Sequence, residues 1–207
     1  MSSSQQPKGV YRQALADYIA SQARPVDKFG HQPRLYALAR QIAAGHDCDD
    51  DVVYAAAWLH DLGVFIGHRP EDPEALAPWD HVAYAIDRAP GILQRSDFPA
   101  EKIPAVLEAI RSHQPSGEPA SIEGVILRDA DILEQLGAVA ILRTVSKVGR
   151  DTRYATFTDT VDSLRRSLET LPGQLKLETS RALAGPKIRI LEAFLLAVEQ
   201  ESQGALF

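Results

Sequence analysis

Apolar residues along this chain recur at intervals of three and four, and strict alternation is almost absent. Val10, Leu15, Tyr18 and Ile19 predict a helix over 10–22, and Leu35, Leu38, Ala39 and Ile42 predict one over 31–44. Asp50 or Asp51 suits the N-cap of a helix reaching Trp58 and Leu59, with Gly63 able to end it. Residues 64–78 carry three prolines and read as a loop. A helix restarts at Asp80 and stops before Pro90–Gly91, and Pro104 fits the first turn of another that runs to Ser112. After a loop over 114–120, Ser121 caps a helix with Ile122, Val125, Ile126, Leu133 and Leu136 on one face, interrupted at Gly137. Further helices are predicted over 138–147, from Thr158 or Asp159 to Pro172–Gly173, and from Leu175 to near Glu199 with a break at Gly185–Pro186. The chain reads as an all-α, single-domain helical bundle over 10–200, with a disordered N-terminal tail over 1–9 and a C-terminal tail over 201–207.

Composition narrows the function classes. A hydrophobic fraction of 45% supports a sizeable core. A net charge of -6 argues against coating a nucleic acid, which needs a basic face, so no nucleic-acid binding is expected. Cys48 is the single cysteine, so no intrachain disulfide is available. The first residues are polar and lack an apolar signal core, and the apolar run 193–198 is too short to span a bilayer. The expectation is a cytoplasmic enzyme without a membrane partner; oligomeric state is not legible.

The chemistry-bearing residues are histidines and aspartates. Of 6 histidines, His31, His60, His81 and His113 fall in or at the ends of predicted helices. His60 is followed at once by Asp61 in AAAWLHDLG, and a second acidic pair, Asp129 and Asp131, lies in ILRDADILEQLG. Imidazole and carboxylate together make a site suited to a divalent cation. Neighbouring helical residues point about 100° apart, so His60 and Asp61 converge more readily at a helix end, where Gly63 places them. Periodicity slightly favours Asp129 over Asp131, because Asp129 continues the Ile122–Ile126–Leu133 stripe. His46 and His68 read as surface residues, Lys147 and Arg150 as a solvated helix end, and Trp58 and Trp79 as packing groups.

The order His31, His60-Asp61, Asp131 resembles the H…HD…D signature of the HD-domain superfamily of metal-dependent phosphohydrolases, and is most similar to small bacterial members acting on nucleotides. HQPRLYALA, WLHDLG and ILRDADILEQLGA carry the resemblance, which DHVAYA, AIRSHQ and LPGQLKLETSRALAG extend over roughly 10–200. It implies a metal held by His31, His60, Asp61 and Asp131, and it favours Asp131 over Asp129, leaving Asp129 to support the ligands or its helix. The implied cofactor is one or two divalent ions per chain, of Mn, Fe, Co, Ni, Mg or Zn. The implied reaction is attack of metal-activated water on a nucleotide or other small phosphoester or phosphoanhydride. His81 and His113 would hold a second metal with Asp61 bridging, or contact substrate phosphate and move protons, making Asp61, His81 and His113 the catalytic set. Arg34, three residues after His31, would bind phosphate or pair with a carboxylate near the metal. Two other readings stay open: a diiron oxygenase of the same superfamily, and a non-catalytic metal or nucleotide sensor.

Overall fold

The computed structural model describes residues 9–206, and helices make up the regular structure among them, apart from an isolated bridge between Ile66 and Arg69. The all-helical expectation is met. Contacts group the chain into two compact units, one ending at Arg128 and one beginning at Asp129, a division that falls within a helix.

The first unit holds α1 (Val10–Gln22), α2 (His31–Ala43), α3 (Asp50–Leu59), the single turn α4 (Pro73–Leu76), α5 (His81–Arg95), α6 (Ile103–Ser112) and the first part of α7 (Ile122–Glu134). Helix α3 is its centre and packs against α1, α2, α5 and α6. The reason is in its residues: Asp51 to Leu59 are all buried, because VVYAAAWL is apolar on every side, as a helix enclosed by others must be. The N-cap falls one residue before Asp50 and two before Asp51, the two expected caps. Asp49 is the N-cap, its carboxylate accepting from the Asp51 amide at 3.0 Å. Asp51 itself is buried, accepts from the Tyr11 hydroxyl, and pairs with Arg12 and Lys102 at 2.8 Å each. Helix α1 turns Tyr11, Leu15 and Ile19 inward, while Val10, expected on that face, is 53% exposed.

Helix α5 runs through Pro90 to Arg95 instead of stopping there. Asp80 caps it, accepting from the amides of Val82 and Ala83 at 2.9 Å. Proline inside a helix costs about 3 kcal/mol. Burying Ile92 and Leu93 beyond it returns roughly 3–6 kcal/mol, so the helix continues.

The second unit holds the rest of α7, α8 (Gly137–Val145), α9 (Phe157–Thr170) and α10 (Glu178–Ser202), the last three packed pairwise. Gly137 turns the chain between α7 and α8 with φ +82, and a Cβ there would stand 3.1 Å from the Lys187 Cβ, so two constraints select glycine. Thr156 and Asp159 cap α9 reciprocally. Helix α10 passes unbroken through Gly185–Pro186, with Ser180, Ala184, Leu191 and Leu195 buried on either side. The expected C-terminal tail is helical to Ser202, and Leu206 accepts a hydrogen bond from the Thr158 hydroxyl at 2.6 Å. The expected N-terminal tail lies outside the described residues except for Gly9. Among the described residues no helix is long and apolar enough to cross a membrane.

Candidate metal centre

Four histidines of the first unit stand at helix ends. His31 and His81 are the first residues of α2 and α5; His60 and His113 directly follow the last residues of α3 and α6. The two C-terminal histidines share one device. His60 Nδ1 donates to the Ala57 carbonyl at 3.1 Å and His113 Nδ1 donates to the Ile110 carbonyl at 2.6 Å, each reaching back three residues. A carbonyl only accepts, so Nδ1 carries the hydrogen in both rings and Nε2 presents a lone pair. Helix C-termini carry partial negative charge, which favours a cation beside His60 and His113.

The donors converge. The Nε2 atoms of His31 and His60 are 3.3 Å apart, and Asp61 Oδ2 lies 3.6 Å from the first and 3.5 Å from the second. Donors about 2.1 Å from a shared ion in a tetrahedral arrangement stand about 3.4 Å from one another. Asp61 Oδ1 faces the other way, 3.9 Å from His81 Nε2. His60, Asp61 and His113 each offer a ligand atom, all within 4.8 Å of one another. The ring of His113 packs edge-on against both His60, at 4.9 Å, and His81, at 6.3 Å. His31, His60 and His113 are buried. Burial pushes the Asp61 carboxyl up, but the electrostatic influence of the facing His60, His31, His113 and His81 rings outweighs it and holds the group well below the usual carboxylate range. Neutral imidazole nitrogens and a committed carboxylate form a donor set that fits a divalent cation.

The segment 62–80 joins Asp61 to His81 and is tied down along its length. A Cβ on Gly63 would fall 2.7 Å from the His81 carbonyl oxygen and 2.8 Å from its Cα, so glycine lets the two chain segments touch. The Gly63 carbonyl accepts from the Trp79 indole at 2.8 Å, and the Val64 carbonyl accepts from Lys28 Nζ at 3.0 Å. The Ile66 amide donates to the Arg24 carbonyl at 3.0 Å. Trp79 is therefore more than a packing group, and His68, read from sequence as a surface residue, is half-buried with both ring nitrogens bonded. No local signal marks these roles, because the partners lie 16 to 46 residues away.

Arg34 folds back over the start of α2, its Nη1 standing 2.8 Å from where a Cβ of Gly30 would be. In the second unit, Asp129 is fully buried and accepts from the Lys176 amide at 3.1 Å and the Leu177 amide at 2.9 Å, immediately before α10. Asp131, also on α7, is half-buried, and its Oδ2 accepts from Gln135 Nε2 at 3.1 Å. Lys147 Nζ lies 5.4 Å from the centre of the Tyr154 ring.

Comparison with known proteins adds an independent line. The HD-domain family profile matches residues 29–136, more than half of the chain. No curated protein matches. Among solved structures, the Lin1889 protein of Listeria innocua superposes with a TM-score of 0.71 at 23% identity, covering 96% of this chain and 99% of that one. A predicted HD superfamily hydrolase from an uncultured Thermotogales bacterium gives 0.63 at 26% identity, covering 91% of each. YpgQ of Bacillus subtilis, solved in complex with ADP, gives 0.70 at 21% identity, covering 94% of this chain and 96% of that one.

Proposed function

Because the chain belongs to the HD-domain family, we propose that it is a metal-dependent phosphohydrolase whose substrate is a nucleotide or another small phosphorylated compound. One observation carries the reading: an acidic carboxylate, Asp61, surrounded by four imidazoles at helix ends. His31, His60 and Asp61 would hold the ion, and Asp131 is the fourth ligand by its place in the H…HD…D order. A bound divalent cation supplies Lewis acidity toward a phosphoryl oxygen and lowers the pKa of coordinated water.

The chain's own groups have separate tasks. Asp61 keeps its negative charge at any working pH, because its carboxyl is held below the usual range. His60 and His113 keep one tautomer, because their Nδ1 hydrogens are committed to main-chain carbonyls. His81, facing Asp61 Oδ1, and His113 would meet phosphoryl oxygens or a second ion and move protons. Arg34, beside His31, offers a planar cation to phosphate. The nucleotide preference draws on YpgQ, which was solved with ADP.

The test is a turnover screen with Mn, Co, Ni, Mg, Fe and Zn against nucleotides and generic phosphoesters, run beside Asp61→Ala. Wild type is expected to hydrolyse at least one substrate in a metal-dependent way. The variant is expected to keep its helical circular-dichroism spectrum and lose turnover by at least a thousandfold, about 4 kcal/mol of transition-state stabilisation. Full turnover in Asp61→Ala overturns the reading. Oxygen-dependent turnover with bound iron would favour the oxygenase instead.

A further inference from the structure

His68 lies in the middle of the strap between Asp61 and His81, and both ring nitrogens are engaged by helices. Its Nε2 faces Gln22 Oε1 of α1 at 2.9 Å, and its Nδ1 faces the Tyr84 hydroxyl of α5 at 3.0 Å. The Gln22 amide nitrogen donates to Ser21 Oγ at 3.0 Å, which turns the amide oxygen toward His68. The His68 Nε2 therefore carries a hydrogen and Nδ1 accepts from the Tyr84 hydroxyl. A neutral imidazole satisfies both partners; a second proton on Nδ1 would reverse the second bond, so that the Tyr84 hydroxyl has to turn and accept from the ring.

The surroundings also disfavour a cation. The ring packs edge-on against Phe65 at 6.2 Å and Tyr84 at 5.7 Å. From α5 come Tyr84 and Arg88, whose guanidinium lies 5.4 Å from the Tyr84 ring centre and pairs with exposed Asp87 at 3.5 Å. From α1 comes Tyr18, which interacts electrostatically with Arg95, Tyr84 and Arg88; Arg69 follows His68 in the strap. Burial first, and Arg88 second, lower the His68 pKa. Tyr84 is three residues after His81, on the same side of α5.

We propose that neutral His68 is a positioning residue for His81: it clasps the strap and α5 to α1, fixing where His81 stands relative to Asp61, and protonation of His68, which puts a charge into that half-buried site, weakens the clasp. The consequence for turnover rests on the proposed function; the clasp itself is measurable without metal or substrate.

The experiment is an NMR pH titration of the histidine rings with amide hydrogen exchange over 64–79, in wild type, His68→Gln and His68→Phe. Wild-type His68 is expected to titrate below its ordinary 6.5. Through that step the His81 resonance is expected to shift, and strap exchange, corrected for intrinsic pH dependence, to accelerate about tenfold. His68→Gln, which can donate and accept without titrating, is expected to hold protection at every pH, whereas His68→Phe exchanges fast throughout. Tyr84→Phe removes the same bond from the other side and serves if His68→Phe does not fold. Strap exchange indifferent to the His68 titration, or as slow in both phenylalanine variants as in wild type, overturns the clasp. Neither result touches the proposed function, which fails on Asp61→Ala alone.

Discussion

At the scale of single residues, the centre depends on groups that carry no chemistry. Gly63 permits the main-chain contact that sets His81 beside Asp61, and Trp79 closes over the same glycine. Gly63→Ala forces its Cβ into main-chain atoms of His81, and we expect a loss of about 1–3 kcal/mol in urea denaturation, typical of overpacking at a site that cannot yield. Unchanged stability would mean that the strap gives way freely. The convergence of His31 with His60-Asp61 could be anticipated from sequence because each of these residues sits in its own recognisable stretch. His68 was not, because its roles come from Gln22 and Tyr84, 46 and 16 residues away.

At the scale of elements, α7 carries two aspartates with different jobs. Asp129 receives the Lys176 and Leu177 amides just before α10, whereas Asp131 is half-buried and braced by Gln135. The periodicity that favoured Asp129 therefore detected burial, which here serves an anchor. Asp129→Ala should cost on the order of 2–4 kcal/mol of stability, because amide hydrogens lose a charged acceptor, and should change metal affinity less than Asp131→Ala does. Metal titration and thermal melts of the two variants measure both effects; the reverse order of metal affinities would return the ligand role to Asp129. Helix ends were the least legible parts. Pro90 and Pro186 both lie inside helices, because apolar faces continue past each proline, and a local rule about proline does not weigh that burial.

For the molecule as a whole, acid is the expected route to unfolding. Burial would raise the Asp51 carboxyl, but bonds from Lys102, Tyr11 and Arg12 hold it well below its usual range, and Asp61 is held down likewise. A depressed carboxyl contributes its full stabilisation above the unfolded-state pKa, near 4, and loses it as pH falls further toward the folded value. Urea midpoints are therefore expected to be flat near neutrality and to fall steeply below about pH 4. Asp51→Asn should cost on the order of 2 kcal/mol at pH 7, with the gap from wild type narrowing toward pH 2. A gap that stays constant with pH would show that the Asp51 network contributes packing alone. The helical architecture behind this behaviour was readable from periodicity, since strongly apolar segments such as 52–59 leave few alternatives.

The imidazoles of His60 and His113 lean on carbonyl oxygens, atoms that every amino acid supplies. Exchange of the side chains at Ala57 and Ile110 leaves that prop in place so long as the last turn of each helix survives. The aim of both rings is thus inherited from backbone shape, and a tally of which residue types persist at those positions would pass over the support entirely.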